Sequence, residues 1–192
     1  MFDIADALAP HLEADPRPQP AAGDRLAAVL ALVIEGDEPS LVFTERAAGL
    51  SRHPGEVSFP GGLAEPGDLD LRATALRETK EEIGVEPATV AVLGAMSPIH
   101  TFVSAILVTP FVATLPSMPT LVVSASEIAR VVTVPLRVLA AAEEQREVRA
   151  AGGGTWRGWW YELPEVTVWG VTGAMVHELL VLLQREAAWS IA

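Results

Sequence analysis

The stretch from Gly55 to Val85, GEVSFPGGLAEPGDLDLRATALRETKEEIGV, constrains this chain more than any other part of it. It contains a glycine pair, then a polar loop, and then a glutamate-rich run with helical spacing. We predict that Asp68 caps a helix that ends near Ile83, with Gly84 as the stop because glycine readily adopts positive φ. The order of strand, glycine pair, loop and acidic helix is expected of a site that binds a metal ion and phosphate.

At about 100° per residue, this helix has an apolar face and an acidic face. The apolar residues are Leu69, Ala73, Leu76 and Ile83. On the other face, Glu78 and Glu82 are four residues apart, with Glu81 beside them. Acidic helix faces are more often simply solvated, but three like charges this close repel one another, and a divalent cation would remove the repulsion. Arg77 precedes Glu81 by four residues and is placed to orient its carboxylate.

The composition narrows the class of protein. The chain has 192 residues, a formal net charge of −12 and no cysteine. We expect one domain over residues 1–192, with an N-terminal arm at 1–24. No apolar run reaches the roughly 18–20 residues of a membrane span, and no secretory signal is visible, so we expect a cytoplasmic protein without a membrane partner. The negative charge argues against a nucleic-acid partner, and the absence of cysteine excludes disulfides and thiolate metal sites.

The three glutamates of the acidic face, Glu78, Glu81 and Glu82, are the candidate metal ligands. An all-carboxylate cluster without cysteine or paired histidine favours Mg²⁺ or Mn²⁺ over Zn²⁺. Arg77, Glu81 and Glu82 are the candidates for catalysis, and Glu127, in a later polar loop, is a further candidate for the general base or an extra ligand. Which carboxylate is the base stays open at this point, as does the oligomeric state.

The segment from Arg77 to Val85 resembles the second half of the Nudix box, G-x5-E-x7-R-E-U-x-E-E-x-G-U, in which U is aliphatic. Thr79 occupies one of the aliphatic positions. The first half departs from the pattern, because a one-residue insertion after Gly62 is needed to restore the glycine. Either Asp68 or Asp70 then stands in for the early acid.

A second pattern, LLTxR(S/A)xxxRxxxGxxxFPGG, accompanies the box in the coenzyme A pyrophosphatases of the Nudix family. This sequence is similar to it at Thr44, Arg46, Ala47, Gly55 and Phe59 to Gly62. The position of the second arginine holds Ser51, with Arg52 adjacent. On this resemblance the candidate ligand-binding residues are Arg46, Arg52, Phe59, Gly61 and Gly62.

Alternating strand and helix segments predict a layered α/β fold. The resemblance implies the Nudix α/β/α sandwich, a mixed β-sheet with the box helix on one side and a carboxy-terminal helix, predicted over residues 171–187, on the other. It also implies a metal-dependent pyrophosphohydrolase that splits coenzyme A or its derivatives, a small-molecule substrate, into 4′-phosphopantetheine and 3′,5′-ADP. Two alternatives stay open. One is a Nudix hydrolase of another nucleotide, such as ADP-ribose or a dinucleoside polyphosphate, and the other is a catalytically silent nucleotide-binding module.

Overall fold

The computed structural model describes residues 3–49, 55–101, 105–149, 154–185 and 189. The α-helices within these residues are α1 (Ile4–Leu8), α2 (Leu71–Ile83), α3 (Leu136–Ala142) and α4 (Gly170–Gln184). The strands are β1 (Arg25–Ile34), β2 (Ser40–Arg46), β3 (Val57–Ser58), β4 (Gly61–Leu63), β5 (Ala91–Ala95), β6 (Ile99–His100), β7 (Ile106–Leu115), β8 (Ile128–Pro135), β9 (Glu143–Arg149), β10 (Thr155–Glu162) and β11 (Thr167–Val168). Among the helices of the described residues, none combines the length and apolar character that crossing a bilayer requires.

An eight-stranded mixed sheet is organised around β1. β1 runs parallel to β7 over its whole length and antiparallel to its hairpin partner β2 near their shared turn. The first half of β1 instead pairs with β4, where Ala28 lies opposite Gly62 and Val29 opposite Gly61. The glycine pair, Gly61 and Gly62, therefore lies inside the sheet, directly against its central strand.

The side chains of β1 alternate between two hydrophobic cores, because successive residues of a strand point to opposite faces. One core joins Ala28, Leu30 and Leu32 to Ala75 and Ile83 of α2. The opposite core joins Ala27, Ala31 and Val33 to Val176, Leu179, Leu180 and Leu183 of α4. A mixed sheet with α2 on one side and α4 on the other confirms the predicted α/β/α sandwich.

A smaller antiparallel sheet, in the order β11–β10–β9, packs on α4. β9 and β10 pair antiparallel, from Glu143 opposite Tyr161 to Arg149 opposite Thr155. Trp159 of β10 stacks on His177 of α4, with 3.6 Å between the ring centroids. The sheet therefore covers the outer side of α4 and leaves the α2 side of the sandwich to the candidate site.

The amino-terminal segment predicted as an arm is docked on the core. Ile4 and Leu8 of α1 are 3% and 0% exposed, and both belong to the core that contains α4. Glu13 exchanges two backbone hydrogen bonds with Ala95 of β5, at 2.9 and 2.8 Å. Residues 16–20, rich in proline, form neither helix nor strand, because proline lacks the amide proton that both need.

Candidate active site

Helix α2, which carries the three predicted metal ligands, begins later than the sequence suggests. Asp70 is its N-cap, and the Oδ1 atom accepts a hydrogen bond from the amide of Ala73 at 2.7 Å. The prediction that Asp68 caps this helix is therefore wrong. At the other end, Gly84 has a φ of 76° and its amide donates to the carbonyl of Lys80 at 2.9 Å, which confirms the predicted stop.

The buried face of α2 also differs from the predicted apolar face. Leu69 precedes the helix and is 95% exposed. The buried residues of the helix are Thr74, Ala75, Thr79, Glu82 and Ile83. Small side chains and threonines on this face let α2 pack closely over β1 and β4. Glu82, predicted on an outer acidic face, is 3% exposed and lies between the helix and the sheet.

Both positions of the glycine pair require glycine, because a Cβ atom at either one would lie too close to neighbouring atoms. Gly61 has a φ of 152°, and a Cβ atom there would lie 2.4 Å from the carbonyl oxygen of Ala28. Its amide donates to Oε2 of Glu82 at 3.2 Å. A Cβ on Gly62 would lie 2.5 Å from Cδ of Glu78. The pair thus admits two carboxyl groups of α2 against the β4 backbone, an approach that any larger residue would block.

Arg77 connects the acids of the site. Its Nε and Nη2 atoms donate to the two carboxylate oxygens of Asp68, at 2.9 and 3.1 Å, and Nη2 also donates to the carbonyl of Leu63 at 3.1 Å. Nη1 donates to Glu78 at 2.9 Å and to Glu81 at 3.2 Å, which confirms the predicted Arg77–Glu81 contact. All five N–H donors of the guanidinium are therefore used within the protein. This geometry shows that Arg77 holds Asp68, Glu78 and Glu81 in place, and its predicted part in catalysis stays a prediction.

The pairing with Arg77 also identifies the early acid that the sequence leaves open. The Arg77 guanidinium, with further hydrogen bonds from the Glu65 amide and the Thr74 hydroxyl, holds the pKa of Asp68 well below its usual range. The Asp68 side chain is 8% exposed, so this ion pair is largely shielded from water. Of the two candidates for the early acid, Asp68 is therefore the one that pairs with Arg77, and Asp70 serves the helix cap.

Burial dominates the electrostatics of the two inner carboxyl groups. Burial raises the pKa of Glu82 to about 8, and it also raises the pKa of Glu78. The negative charge of Glu127 raises the pKa of both groups further, which places it near them, and the positive charge of Arg46 lowers that of Glu82. Two partly desolvated carboxyl groups thus lie side by side with too little positive charge to compensate them.

These carboxyl groups fit a hard divalent cation. One oxygen of Glu78 accepts from Arg77 and one of Glu82 from Gly61, and the second oxygen of each accepts no hydrogen bond from the described residues. Within that part of the chain, no three acidic, histidine or cysteine side chains lie close enough together to hold a metal ion as they stand. The Glu81 side chain is 58% exposed and turned to Arg77, so its role as a third ligand stays a prediction. Free carboxylate oxygens in a buried setting are the donors that Mg²⁺ and Mn²⁺ prefer.

The remaining predicted ligand-binding residues divide into three cases. Phe59 is 1% exposed and stacks on Phe43 with 5.1 Å between ring centroids, so the structure assigns it to packing beneath the site and not to contact with a ligand. Arg46 ends β2 close to Glu82, and its Nε atom is buried without a hydrogen-bond partner among the described residues. Arg52 lies outside the described residues.

Buried carboxyl groups on a helix, set against a glycine-lined strand of an α/β/α sandwich, are the kind of donors that metal-assisted hydrolases use to hold a divalent cation. The family model of the NUDIX domain matches residues 24–151. Nudix hydrolase NudL of Photorhabdus laumondii, described as uncharacterized, is 36% identical over 157 residues, which cover 81% of this chain and 83% of that protein. NudL of Cronobacter sakazakii, described in the same way, is 38% identical over 163 residues, 81% of each protein. The chain therefore belongs to the Nudix hydrolase family.

A comparison with solved structures supports the fold. The crystal structure of the Nudix hydrolase RenU from M. smegmatis matches with a TM-score of 0.50 and 19% identity, over 61% of this chain and 74% of that one. A MutT/nudix family protein from Enterococcus faecalis also matches with a TM-score of 0.50, at 15% identity, over 88% of this chain and 58% of that one. At these identities the similarity establishes the shared fold, and the substrate is a separate question.

Replacing Gly62 with alanine is expected to lower turnover at least about tenfold, because the new Cβ would displace the Glu78 carboxylate. The stability should change by less than about 1 kcal/mol, since the displaced group is the end of a flexible side chain. Steady-state kinetics and denaturant unfolding measure the two effects. Gly67→Ala is the matched control, because a Cβ there meets nothing within 4 Å. Equal turnover in the two variants would contradict the assignment of Glu78.

Proposed function

We propose that this Nudix hydrolase cleaves coenzyme A or its derivatives into 4′-phosphopantetheine and 3′,5′-ADP with Mg²⁺ or Mn²⁺. The observation that carries the proposal is the unpartnered Nε atom of Arg46, buried beside the acids of α2. A buried donor without an acceptor costs free energy, and a phosphate oxygen of the substrate would remove that cost. Arg46 is also the first arginine of the sequence pattern that resembles coenzyme A pyrophosphatases.

The charge of the chain makes this arginine more informative than a surface arginine would be. A net charge of −12 repels an anionic substrate unless positive charge is concentrated at the site. Arg77 cannot supply it to a ligand, because all of its donors are used within the protein. Among the described residues, we therefore assign to Arg46, together with the divalent cation, the attraction and orientation of the diphosphate.

Hydrolysis adds one water across the P–O–P bridge. The water oxygen forms a bond to one phosphorus, the bridging oxygen leaves with the other phosphate, and a carboxylate accepts the proton. When bound by Glu78 and Glu82, the cation neutralises the diphosphate and makes water more acidic. Of the two remaining acids, Glu81 is bound by Arg77, whereas no described residue donates to the carboxylate of Glu127. We therefore assign the proton acceptor to Glu127.

Replacing Arg46 with glutamine is expected to raise KM for coenzyme A about tenfold to a hundredfold, the equivalent of one charged hydrogen bond. The effect on kcat should be smaller, since Arg46 is assigned to binding. Arg137→Gln is the matched control, because Arg137 pairs with Glu38 at the far end of the β1–β2 hairpin. Mass spectrometry should show that the wild type forms the two products named above from coenzyme A.

Other substrates test the specificity directly. The wild type is incubated in parallel with coenzyme A, ADP-ribose and a dinucleoside polyphosphate, each with Mg²⁺ or Mn²⁺. Rapid turnover of either alternative without cleavage of coenzyme A would reject the substrate assignment. It would leave the assignment of the metal site in place. An unchanged KM in Arg46→Gln would reject the role of the arginine.

A further inference from the structure

The connection between β7 and β8, residues 116–127, lies over the C-terminal end of α2. The amide of Val122 donates to the carbonyl of Ile83 at 3.0 Å, and the amide of Ser124 donates to the carbonyl of Glu82 at 2.9 Å. Carbonyls in the last turn of a helix have no partner within the helix and must find one elsewhere. The connection therefore caps α2 directly behind the buried carboxyl group of Glu82.

Ser124 connects this cap to the main chain of Glu127. Its carbonyl accepts the amide protons of Glu127 and Ile128, at 3.0 and 2.9 Å. A single residue thus bridges the main chains of Glu82 and Glu127 through two successive hydrogen bonds. Because the atoms involved belong to the backbone, the position of the Glu127 main chain relative to α2 does not depend on side-chain rotation.

A further hydrogen bond extends the connection to the substrate-binding side. The carbonyl of Glu127 accepts the amide proton of Ala47 at 2.8 Å, and Ala47 directly follows Arg46 at the end of β2. One backbone path therefore links the helix that holds Glu78 and Glu82, the loop that holds Glu127, and the strand that ends in Arg46.

Gly84 is what allows the connection to come this close. Besides its positive φ of 76°, a Cβ atom at this position would lie 2.8 Å from both the Cβ and the amide nitrogen of Val122. The atoms in the way include backbone, so a rotamer change would not relieve the contact. Any side chain at position 84 would push the connection away from α2, and Ser124 with it.

Burial of apolar side chains contributes little to the middle of this connection. Val122 and Val123 are 72% and 38% exposed, although Met118 and Leu121 at its start pack against the α2 core. The part next to Glu127 is therefore held mainly by its hydrogen bonds and by the fit against Gly84. This dependence makes the position of Glu127 sensitive to changes at residue 84.

We propose that Ser124 is a positioning residue, whose main chain holds Glu127 against the acids of α2 through the space that Gly84 leaves open. The inference rests on the proposed role of Glu127 as proton acceptor. It adds that the loop that holds Glu127 has its final position before metal or substrate binds, because every hydrogen bond in the path is made within the free protein. The active site is then preorganised by backbone geometry and does not require closure of this loop.

The test is a double-mutant cycle between Gly84→Ala and Glu127→Gln. Gly84→Ala is expected to lower kcat about tenfold with little change in KM, because it moves the proton acceptor, whereas Arg46 stays anchored by the pairing of β2 with β3 and β8. Glu127→Gln alone should lower kcat about a hundredfold. In the Glu127→Gln background, Gly84→Ala should cause no further loss, since its effect acts through Glu127. A general structural defect would lower kcat equally in both backgrounds, and that result would overturn the inference.

Gly36→Ala is the matched control for backbone strain. Gly36 lies in the β1–β2 turn with a φ of 133°, and a Cβ there would meet nothing within 4 Å. The variant should lose stability and keep the kcat of the wild type. A wild-type kcat in Gly84→Ala would overturn the inference.

Amide hydrogen exchange gives a readout that is independent of activity and of the folding of any variant. In the wild type, the amides of Ser124 and Glu127 should exchange at least about a hundredfold more slowly than those of an unstructured chain. Unprotected exchange at both positions would overturn the inference by itself. If Glu127→Gln keeps full kcat, the role of Glu127 in the proposed function fails and the inference fails with it. If the enzyme cleaves another nucleotide and not coenzyme A, the double-mutant cycle is measured with that nucleotide, and the inference is tested in the same way.

Discussion

Replacing Glu82 with glutamine is expected to lower metal-dependent turnover at least about a hundredfold while making the metal-free protein more stable at pH 8. The loss of activity follows from the loss of one buried carboxylate donor to the cation. The gain in stability follows because the wild-type carboxyl group is buried, 3% exposed, beside Glu78 and near Glu127. Function and stability therefore oppose each other at this position.

The direction of the stability effect comes from the pKa of Glu82, which burial raises from 4.5 to about 8 in the metal-free protein. Between these values the folded state keeps a proton that the unfolded chain releases, so the free energy of unfolding of the wild type falls as pH rises. Glutamine does not titrate. In the presence of a chelator, the advantage of the variant should therefore grow across this window, to at most about 4–5 kcal/mol.

A saturating divalent cation should reverse the order, because it binds only the folded wild type with high affinity. Thermal unfolding at several pH values, with chelator and with Mn²⁺, measures both effects. Glu86→Gln is the control, since Glu86 is exposed and pairs with Lys80 on the surface. If Glu82→Gln were less stable than the wild type at pH 8 without metal, the buried, uncompensated state of this carboxyl group would be contradicted.

The sequence was sufficient to predict the layers of this fold and the elements that carry the site. The helix stop at Gly84 and the carboxy-terminal helix both follow from local patterns of polarity and turn chemistry. The arrangement of these elements in an α/β/α sandwich was predicted from the resemblance to the Nudix box. These features are local, or belong to a motif, and therefore can be recognised without knowledge of the tertiary contacts.

The orientation of α2 could not be derived in the same way. Helical periodicity assigns Leu69 to the core, but the helix begins at Leu71 after its N-cap Asp70, and Leu69 is left 95% exposed. Periodicity also places Glu82 on a solvated face, because hydrophobicity alone cannot anticipate a carboxyl group buried to bind a ligand. The glycines opposite it were the available signal, since Gly61 and Gly62 admit the two carboxyl groups at distances no larger residue permits.

The links between distant parts of the site were also beyond the sequence. Asp68 and Arg77 are nine residues apart, and no helical spacing rule pairs them, because Asp68 lies in the loop before the helix. The hydrogen bonds by which Ser124 links Glu82 to Glu127 use backbone atoms, which leave no signature in residue type. The sequence therefore offered Glu127 as a candidate and gave no indication of its backbone link to Glu82 through Ser124.

Replacing Arg77 with lysine is expected to destabilise the protein by about 2–4 kcal/mol and to lower turnover at least about tenfold. Lysine carries its three donors on one nitrogen, so it cannot bind both oxygens of Asp68 and also reach Leu63, Glu78 and Glu81. The Asp68 carboxylate, 8% exposed, would keep its burial and lose its bidentate partner. Glu78 would lose the hydrogen bond that fixes one of its oxygens.

The pH dependence separates this mechanism from a general packing defect. Because Arg77 lowers the pKa of Asp68 in the folded protein, the ion pair stabilises the fold above the ordinary pKa of 3.8. That stabilisation is lost progressively as pH falls below this value. The difference between wild type and Arg77→Lys, measured by denaturant unfolding, should therefore be full at pH 6–7 and shrink in acid. Arg72→Lys, on the exposed side of the same helix, is the control. A deficit in Arg77→Lys that stays constant into acid would assign Arg77 to packing and remove it as the residue that positions Glu78 and Glu81.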